Sequence, residues 1–140
     1  MSVMNLKKIG LVHSIYKNKG DAPRQGKLSK QESTIEIFPE YKEGLKGIEK
    51  LSHIIVLYWG DRANRETLKS IPPGSETEKG VFAIRSPNRP NPIALCVCEI
   101  VSVNDNVIKV IGLDAFNNSP VLDIKVYVPK IDTEKQYEEE

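Results

Sequence analysis

Apolar residues recur at alternate positions in several short stretches of the chain. "IGLVHSIY" (9–16) is built of β-formers, with Gly10 as a bulge or a point of close backbone approach. "STIEIF" (33–38) alternates and reads as a half-buried strand that Pro39 ends. "HIIVLYW" (53–59) is the most apolar run, and its β-branched content predicts a central strand. "GVFAIR" (80–85), "IALCVCEIVSV" (93–103), "VIKVIGLDAF" (107–116) and "PVLDIKVYV" (120–128) continue the series, the second being long enough to bend. "NDN" (104–106) places turn chemistry between two apolar runs and predicts a hairpin. Helical signal is scarce. Two glycines in "EYKEGLKGIEKL" leave a turn or a short, poor helix, and "DRANRETLKS" (61–70) predicts a short helix capped near Asp61. About seven short strands with little helix define an all-β chain, a barrel or a sandwich.

The 140 residues make one domain, with no repeat and no linker long enough to divide them. We set the domain at 1–131 and expect residues 132–140 to be a disordered acidic tail. That tail carries five acids and one lysine, so the net charge of +1 splits into −4 there and +5 over the rest. "KNKGDAPRQGKLSK" (17–30) is one dense basic stretch, compatible with a phosphate-rich partner, although most charge runs are solvated surface. No apolar run approaches a membrane span, and "MSVMNLKKIG" lacks a signal-peptide core, so the expectation is a cytoplasmic protein with no membrane partner. Cys96 and Cys98 in "CVC" share one face of a strand. Neighbours this close do not form an ordinary disulfide, and with His13 and His53 isolated no metal site is expected; the two read as small core residues.

Several sites are missing: GxGxxG, Walker A, HExxH and GxSxG do not occur. What remains is a set of unusual loops beside strand ends: "APRQG" (22–26), "WGDR" (59–62), "RSPNRPNP" (85–92) and "LDAFNNSPVLDIK" (113–125). Proline fixes φ and removes a donor, so "RSPNRPNP" cannot pair along its length in a sheet. It can present carbonyls, amides and guanidinium groups in a fixed array, as binding of a polar small molecule requires. Taken singly, each loop is adequately explained as a structural turn.

Together these loops resemble the TsaA/TrmO-like family. "GVFAIRSPNRPNPIAL" and "PVLDIKVYVP" carry the resemblance, and "IGLVHSIYKNKGDAPRQG" and "LSHIIVLYWGDR" fit its order and spacing, over roughly residues 8–129. The resemblance implies a small single-sheeted β-barrel, not a Rossmann fold, that is usually a homodimer and binds S-adenosylmethionine. It implies methylation of N6 of threonylcarbamoyladenosine beside the anticodon of tRNA. Carried over, the cofactor-binding positions are Pro23, Arg24 and Gln25, then Asp61 and Arg62, then Arg85 and Leu95, and finally Asn117, Asn118, Ser119 and Pro120. The chain departs from the family's frequent His-Gln or His-Glu at Asp61-Arg62, from Asp-Gly-Thr-Pro at residues 117–120, and from Lys-Pro-Tyr at residues 125–127.

With a sulfonium cofactor the protein's task is mainly to align the nucleophile with the methyl group. Asp61, Asp114 and Tyr127 are candidate bases, each also explicable as structural, so no catalytic residue is assigned. Three rival readings stand beside the tRNA methyltransferase. One is the same fold with a small-molecule or protein acceptor. Another is a non-catalytic S-adenosylmethionine-binding module. The last is an RNA-binding barrel, which requires exposed aromatic side chains for stacking.

Overall fold

The computed structural model describes residues 3–17 and 31–134. Its strands are β1 (Gly10–His13), β2 (Glu32–Ile37), β3 (His53–Trp59), β4 (Lys69–Ser70), β5 (Lys79–Gly80), β6 (Ile93–Asn104), β7 (Val107–Ile111) and β8 (Pro120–Val126), followed by one helical turn, α1 (Pro129–Asp132). Six of them close an antiparallel barrel in the order β1-β2-β7-β6-β3-β8, with β8 pairing to both β3 and β1. The expected barrel is therefore present, with six strands in its wall rather than about seven. β4 and β5 form a separate two-stranded ribbon.

Alternation fills the interior. Val12, Ile35, Ile37, Ile54, Val56, Cys96, Cys98, Ile108, Val110 and Val121 all point inward and are buried. Each such aliphatic side chain contributes roughly 1.5–3 kcal/mol by leaving water. Both thiols lie inside, unbridged, as the alternation of "CVC" requires. β6 bends where its register against β7 shifts between Ile100 and Ser102. The two-residue hairpin at Asp105 and Asn106 joins these strands, with Asp105 at φ 56°. Gly10 is a point of close approach: a Cβ there would collide with the carbonyl oxygen of Glu36 on β2.

Two expectations are corrected. "GVFAIR" does not form a barrel strand. Its first residue ends β5, and Val81–Ala83 is a single 3-10 turn. The reason is where its backbone groups find partners. Val81 donates its N–H to the Leu68 carbonyl (2.9 Å), while the Arg89 guanidinium takes the carbonyls of Val81 and Ile84. A side chain thus replaces a neighbouring strand. "DRANRETLKS" does not form a helix. The Asn64 side chain accepts the Glu66 N–H (2.8 Å), a local bond, and the Asn88 side chain, from the proline loop, accepts the Asn64 N–H (2.9 Å); both compete with helix formation.

Topology sends the β1–β2, β3–β6 and β7–β8 connections to one end of the barrel. The β2–β3 connection, the 105–106 hairpin and the described segments that enter β1 and leave β8 lie at the other. Residues 135–140, most of the expected tail, lie outside the described residues.

Candidate functional site

The three connections at the first end form a rim, and arginines and asparagines hold it together. β3 ends at Trp59, and Gly60 donates its N–H to the Pro92 carbonyl (2.8 Å), which docks the close of the proline loop against the end of β3. Arg65 reinforces the join. Its Nε donates to the Pro90 carbonyl (2.7 Å), its Nη2 to Asn91 Oδ1 (3.2 Å), and its guanidinium lies 5.0 Å from the centre of the Trp59 ring. Arg62 reaches the opposite way. It donates to the Lys17 carbonyl (2.6 Å) and stacks 4.3 Å from the centre of the Phe116 ring, joining the β1–β2 and β7–β8 connections.

The two arginines of "RSPNRPNP" have different roles. Arg89 turns back on its own loop and donates to the carbonyls of Ser86, Ile84 and Val81. Arg85 is exposed and, among the described residues, has no hydrogen-bond or ion-pair partner. Arg89 is thus structural and Arg85 is presented to solvent.

Residues 117–120 tie β8 to β1. The Asn117 side chain accepts the Ser14 N–H (3.0 Å), and its own N–H goes to the Tyr16 carbonyl (2.7 Å). Asn118 occupies the left-handed region at φ 71°, which asparagine tolerates, and donates its N–H to the Val12 carbonyl (2.7 Å). Ser119 is buried, and its hydroxyl donates to the Phe116 carbonyl (2.7 Å). Pro120 opens β8 opposite Leu11. Of this segment only the Asn118 side chain is exposed. Asp61 is exposed in the β3–β6 connection, and Leu95 points out of the barrel wall opposite Leu57, 45% exposed. Pro23, Arg24 and Gln25 lie outside the described residues, in the β1–β2 connection.

Beneath the rim is a cluster that the sequence reading did not assemble. The Tyr58 hydroxyl (2.5 Å) and the Cys96 thiol (3.0 Å) both donate to Oδ1 of Asp114. Burial, then the Asp114 charge, pushes the pKa values of Tyr58 and Cys96 well above their usual ranges. Both therefore stay protonated donors, and Asp114 is locked to the barrel interior through them. Tyr127, by contrast, lies by His53 beyond the end of β8, with ring centres 6.2 Å apart. The inward parity of Ile54, Val56 and Tyr58 was the available signal for this cluster.

The surface also carries two open hollows, about 390 and 210 Å³. They lie at the opposite end, under the 3-10 turn Pro39–Leu45, around Leu45 and Ile124. The larger is lined by apolar side chains with acidic Glu40, Glu43 and Asp123, and the smaller by apolar side chains with Lys46 and Lys125; neither contains a residue carried over from the family's cofactor set, so the rim is the better candidate.

Residues 11–133 match the family described as the tRNA-methyltransferase O N-terminal domain. The chain belongs to this family. An S-adenosyl-L-methionine-binding protein of Archaeoglobus fulgidus is 56% identical over 96% of this chain and 97% of its own length. A second protein of that organism, a probable S-adenosyl-L-methionine-binding protein, is 51% identical, with 95% of this chain covering 36% of it. The crystal structure of TrmO from Pseudomonas aeruginosa superposes with a TM-score of 0.81 at 30% identity. The match covers 98% of this chain and 61% of that one, so the chain spans about three-fifths of the TrmO polypeptide. Among the described residues, no helix is long and apolar enough to cross a membrane.

Proposed function

We propose that this member of the family is an S-adenosylmethionine-dependent methyltransferase acting on N6 of threonylcarbamoyladenosine beside the anticodon of tRNA. The observation that carries the cofactor part is the division of labour at the rim. Arg62, Arg65 and Arg89 are committed to carbonyls and rings, while Arg85, without a partner among the described residues, projects from a turn that Arg89 fixes. An unpaired guanidinium carried on a fixed backbone turn suits a carboxylate or phosphate. The names of the relatives at 56% and 51% identity support S-adenosylmethionine as the ligand, and the family description supports a tRNA acceptor.

The residues fit this cofactor. Arg85 takes its carboxylate, Leu95 offers apolar contact, and Asp61 and the Asn118 amide offer polar contacts to the ribose or amino group. Pro23, Arg24 and Gln25 complete the set from the β1–β2 connection. When bound, the cofactor supplies an activated methyl group on its sulfonium. The protein's residues orient the acceptor and keep the rim rigid while it approaches. Asp114 is committed to Tyr58 and Cys96, which argues against it as a mobile base.

Calorimetric titration with S-adenosylmethionine and S-adenosylhomocysteine tests this reading. Saturable binding of about one molecule per chain is expected, then methyl transfer to threonylcarbamoylated tRNA. Arg85→Ala should abolish cofactor binding without moving the melting temperature, because the side chain makes no bond among the described residues. Unchanged affinity in that variant removes Arg85 from the site. A second reading is a non-catalytic binding module. It is favoured by the relatives' names and by Asp61-Arg62 and Asn117-Asn118 standing where the family often has other residues. Binding without turnover on any tRNA establishes it.

The family's homodimer is the further part of this proposal. On the outer wall, Trp59 pairs with Ile93, Leu57 with Leu95 and Ile55 with Val97, a continuous apolar strip across β3 and β6. Ile93, Leu95, Val97 and Val101 are 37–45% exposed, where a barrel wall facing water is ordinarily polar. Burying this strip between two copies would put the partner beside Leu95. Light scattering should give twice the chain mass, and Val97→Glu should return it to one.

A further inference from the structure

Phe82 is 83% exposed, and it is the one Phe, Tyr or Trp among the described residues that is neither buried nor half-buried. It is held in that position. Val81 before it is an anchor, 1% exposed, with its N–H on the Leu68 carbonyl (2.9 Å). Arg89 grips the carbonyls on both sides of the turn, Val81 and Ile84, and then Ser86. These bonds fix the backbone from which the ring projects. Leu68 and Ile71, 61% and 56% exposed, flank β4, the strand to which this turn is bonded through Leu68. Lys69 and Lys79 lie on the β4–β5 ribbon, and neither has an ion pair among the described residues. Glu66, Glu76 and Glu78 belong to the same excursion, so the patch is not a block of positive charge.

We propose that Phe82 is a stacking platform for an unpaired base of the RNA substrate, with Lys69 and Lys79 taking the adjoining phosphates. The inference rests on the tRNA reading above and goes beyond it by naming where the strand lies. An open aromatic face suits stacking, which needs a π-surface and no cavity. A peptide anchor would instead need a pocket to fill. A second copy is disfavoured because two-fold packing here would set Lys69 and Lys79 against their own equivalents. An enzyme that modifies a loop adenosine must draw that base from its stack, and a platform nearby can hold a neighbouring base while it does so. The exposed aromatic that RNA binding requires is therefore present, in a segment expected from the sequence to be a buried strand.

The test uses a synthetic threonylcarbamoylated anticodon stem-loop carrying 2-aminopurine next to the target adenosine. Binding to the wild-type protein should quench the probe. Phe82→Ala should weaken binding roughly tenfold or more and lose the quench, whereas Phe82→Trp and Phe82→Tyr should keep both. Calorimetry with S-adenosylmethionine should give the same affinity in all four proteins. If wild type binds and methylates the stem-loop and Phe82→Ala does so equally well, the platform is refuted and the tRNA reading stands. If wild type binds no stem-loop while still binding cofactor, the tRNA reading fails and takes the platform with it. A fall in solution mass for Phe82→Ala would make the patch a contact between copies and overturn the proposal.

Discussion

The two ends of the barrel are closed by different physics. At the end away from the rim, residues 38–52 fold into two 3-10 turns, and Tyr41, Leu45, Ile48 and Leu51 pack against the core. Backbone bonds such as Tyr41 N to Phe38 O (2.9 Å) and Leu51 N to Ile48 O (3.0 Å) satisfy that segment from within. At the rim, residues 60–92 run outside the barrel wall, and much of their backbone is satisfied by side chains: Arg65 on Pro90, Arg89 on Val81 and Ile84, Asn88 on Asn64. The first end is an apolar plug. The second is a polar scaffold in which most residues that look functional are spent on structure. The comparison teaches that the few left unspent, Arg85, Asp61, Asn118 and Phe82, are the ones available to ligands.

Substitutions at the two ends should therefore fail differently. The largest stability effect is expected at the plugged end. Gly10→Ala puts a methyl group into the Glu36 carbonyl, and because the obstacle is backbone, β1 and β2 must part. We expect a loss of more than about 3 kcal/mol, a fall in melting temperature on the order of 10 °C. Chemical denaturation of the variant measures it. A shift under about 1 kcal/mol would mean that the β1–β2 contact yields easily.

Next comes the scaffolded end. Arg89→Ala leaves three carbonyls without their charged donor, at a cost of about 2–3 kcal/mol, and frees the turn that carries Phe82 and Arg85. Both stability and cofactor affinity should fall, whereas Arg85→Ala should lower affinity alone. Circular dichroism melts paired with calorimetry on the two variants separate these outcomes. If Arg89→Ala loses stability but keeps full affinity, the site does not depend on the order of the proline loop.

Legibility followed the same divide. The alternation of "STIEIF" and "VIKVI" displayed β2 and β7, because period-two patterning survives wherever one face is buried. Gly10 gave its close approach, and "CVC" its inward thiols. What the pattern could not show was a backbone satisfied by a distant side chain. "GVFAIR" is apolar enough for a strand, and only the reach of Arg89 makes it a turn. "DRANRETLKS" has helical composition, but Asn64, Asn88 and Arg65 bind its neighbourhood instead. In the same way the family resemblance assigns Arg62 to the cofactor, while its contacts with Lys17 and Phe116 exist only once three loops meet.

The smallest effect lies in the interior between the two ends, and it sharpens the contrast because arginines do not titrate in the window concerned. Burial, followed by the Asp114 charge, moves the Cys98 thiol from 9.0 up to about 12. Below pH 9 the thiol is protonated folded and unfolded, and its contribution to stability is fully present. Above pH 9 the unfolded chain releases the proton while the folded chain keeps it. The folded state then binds more protons, so stability falls as pH rises, until the folded thiol also ionises near 12. One such group gives a slope of at most about 1.4 kcal/mol per pH unit. Cys96 and Tyr58, shifted in the same direction, add slopes of the same sign. Urea unfolding at pH 8, 9 and 10 should show the wild type losing stability faster than Cys98→Ala, the ionisations common to both proteins cancelling in the difference. Parallel decline in the two proteins would mean that the Cys98 proton is not held by folding. The alkaline loss would then have to come from the Tyr58–Asp114–Cys96 cluster beneath the rim.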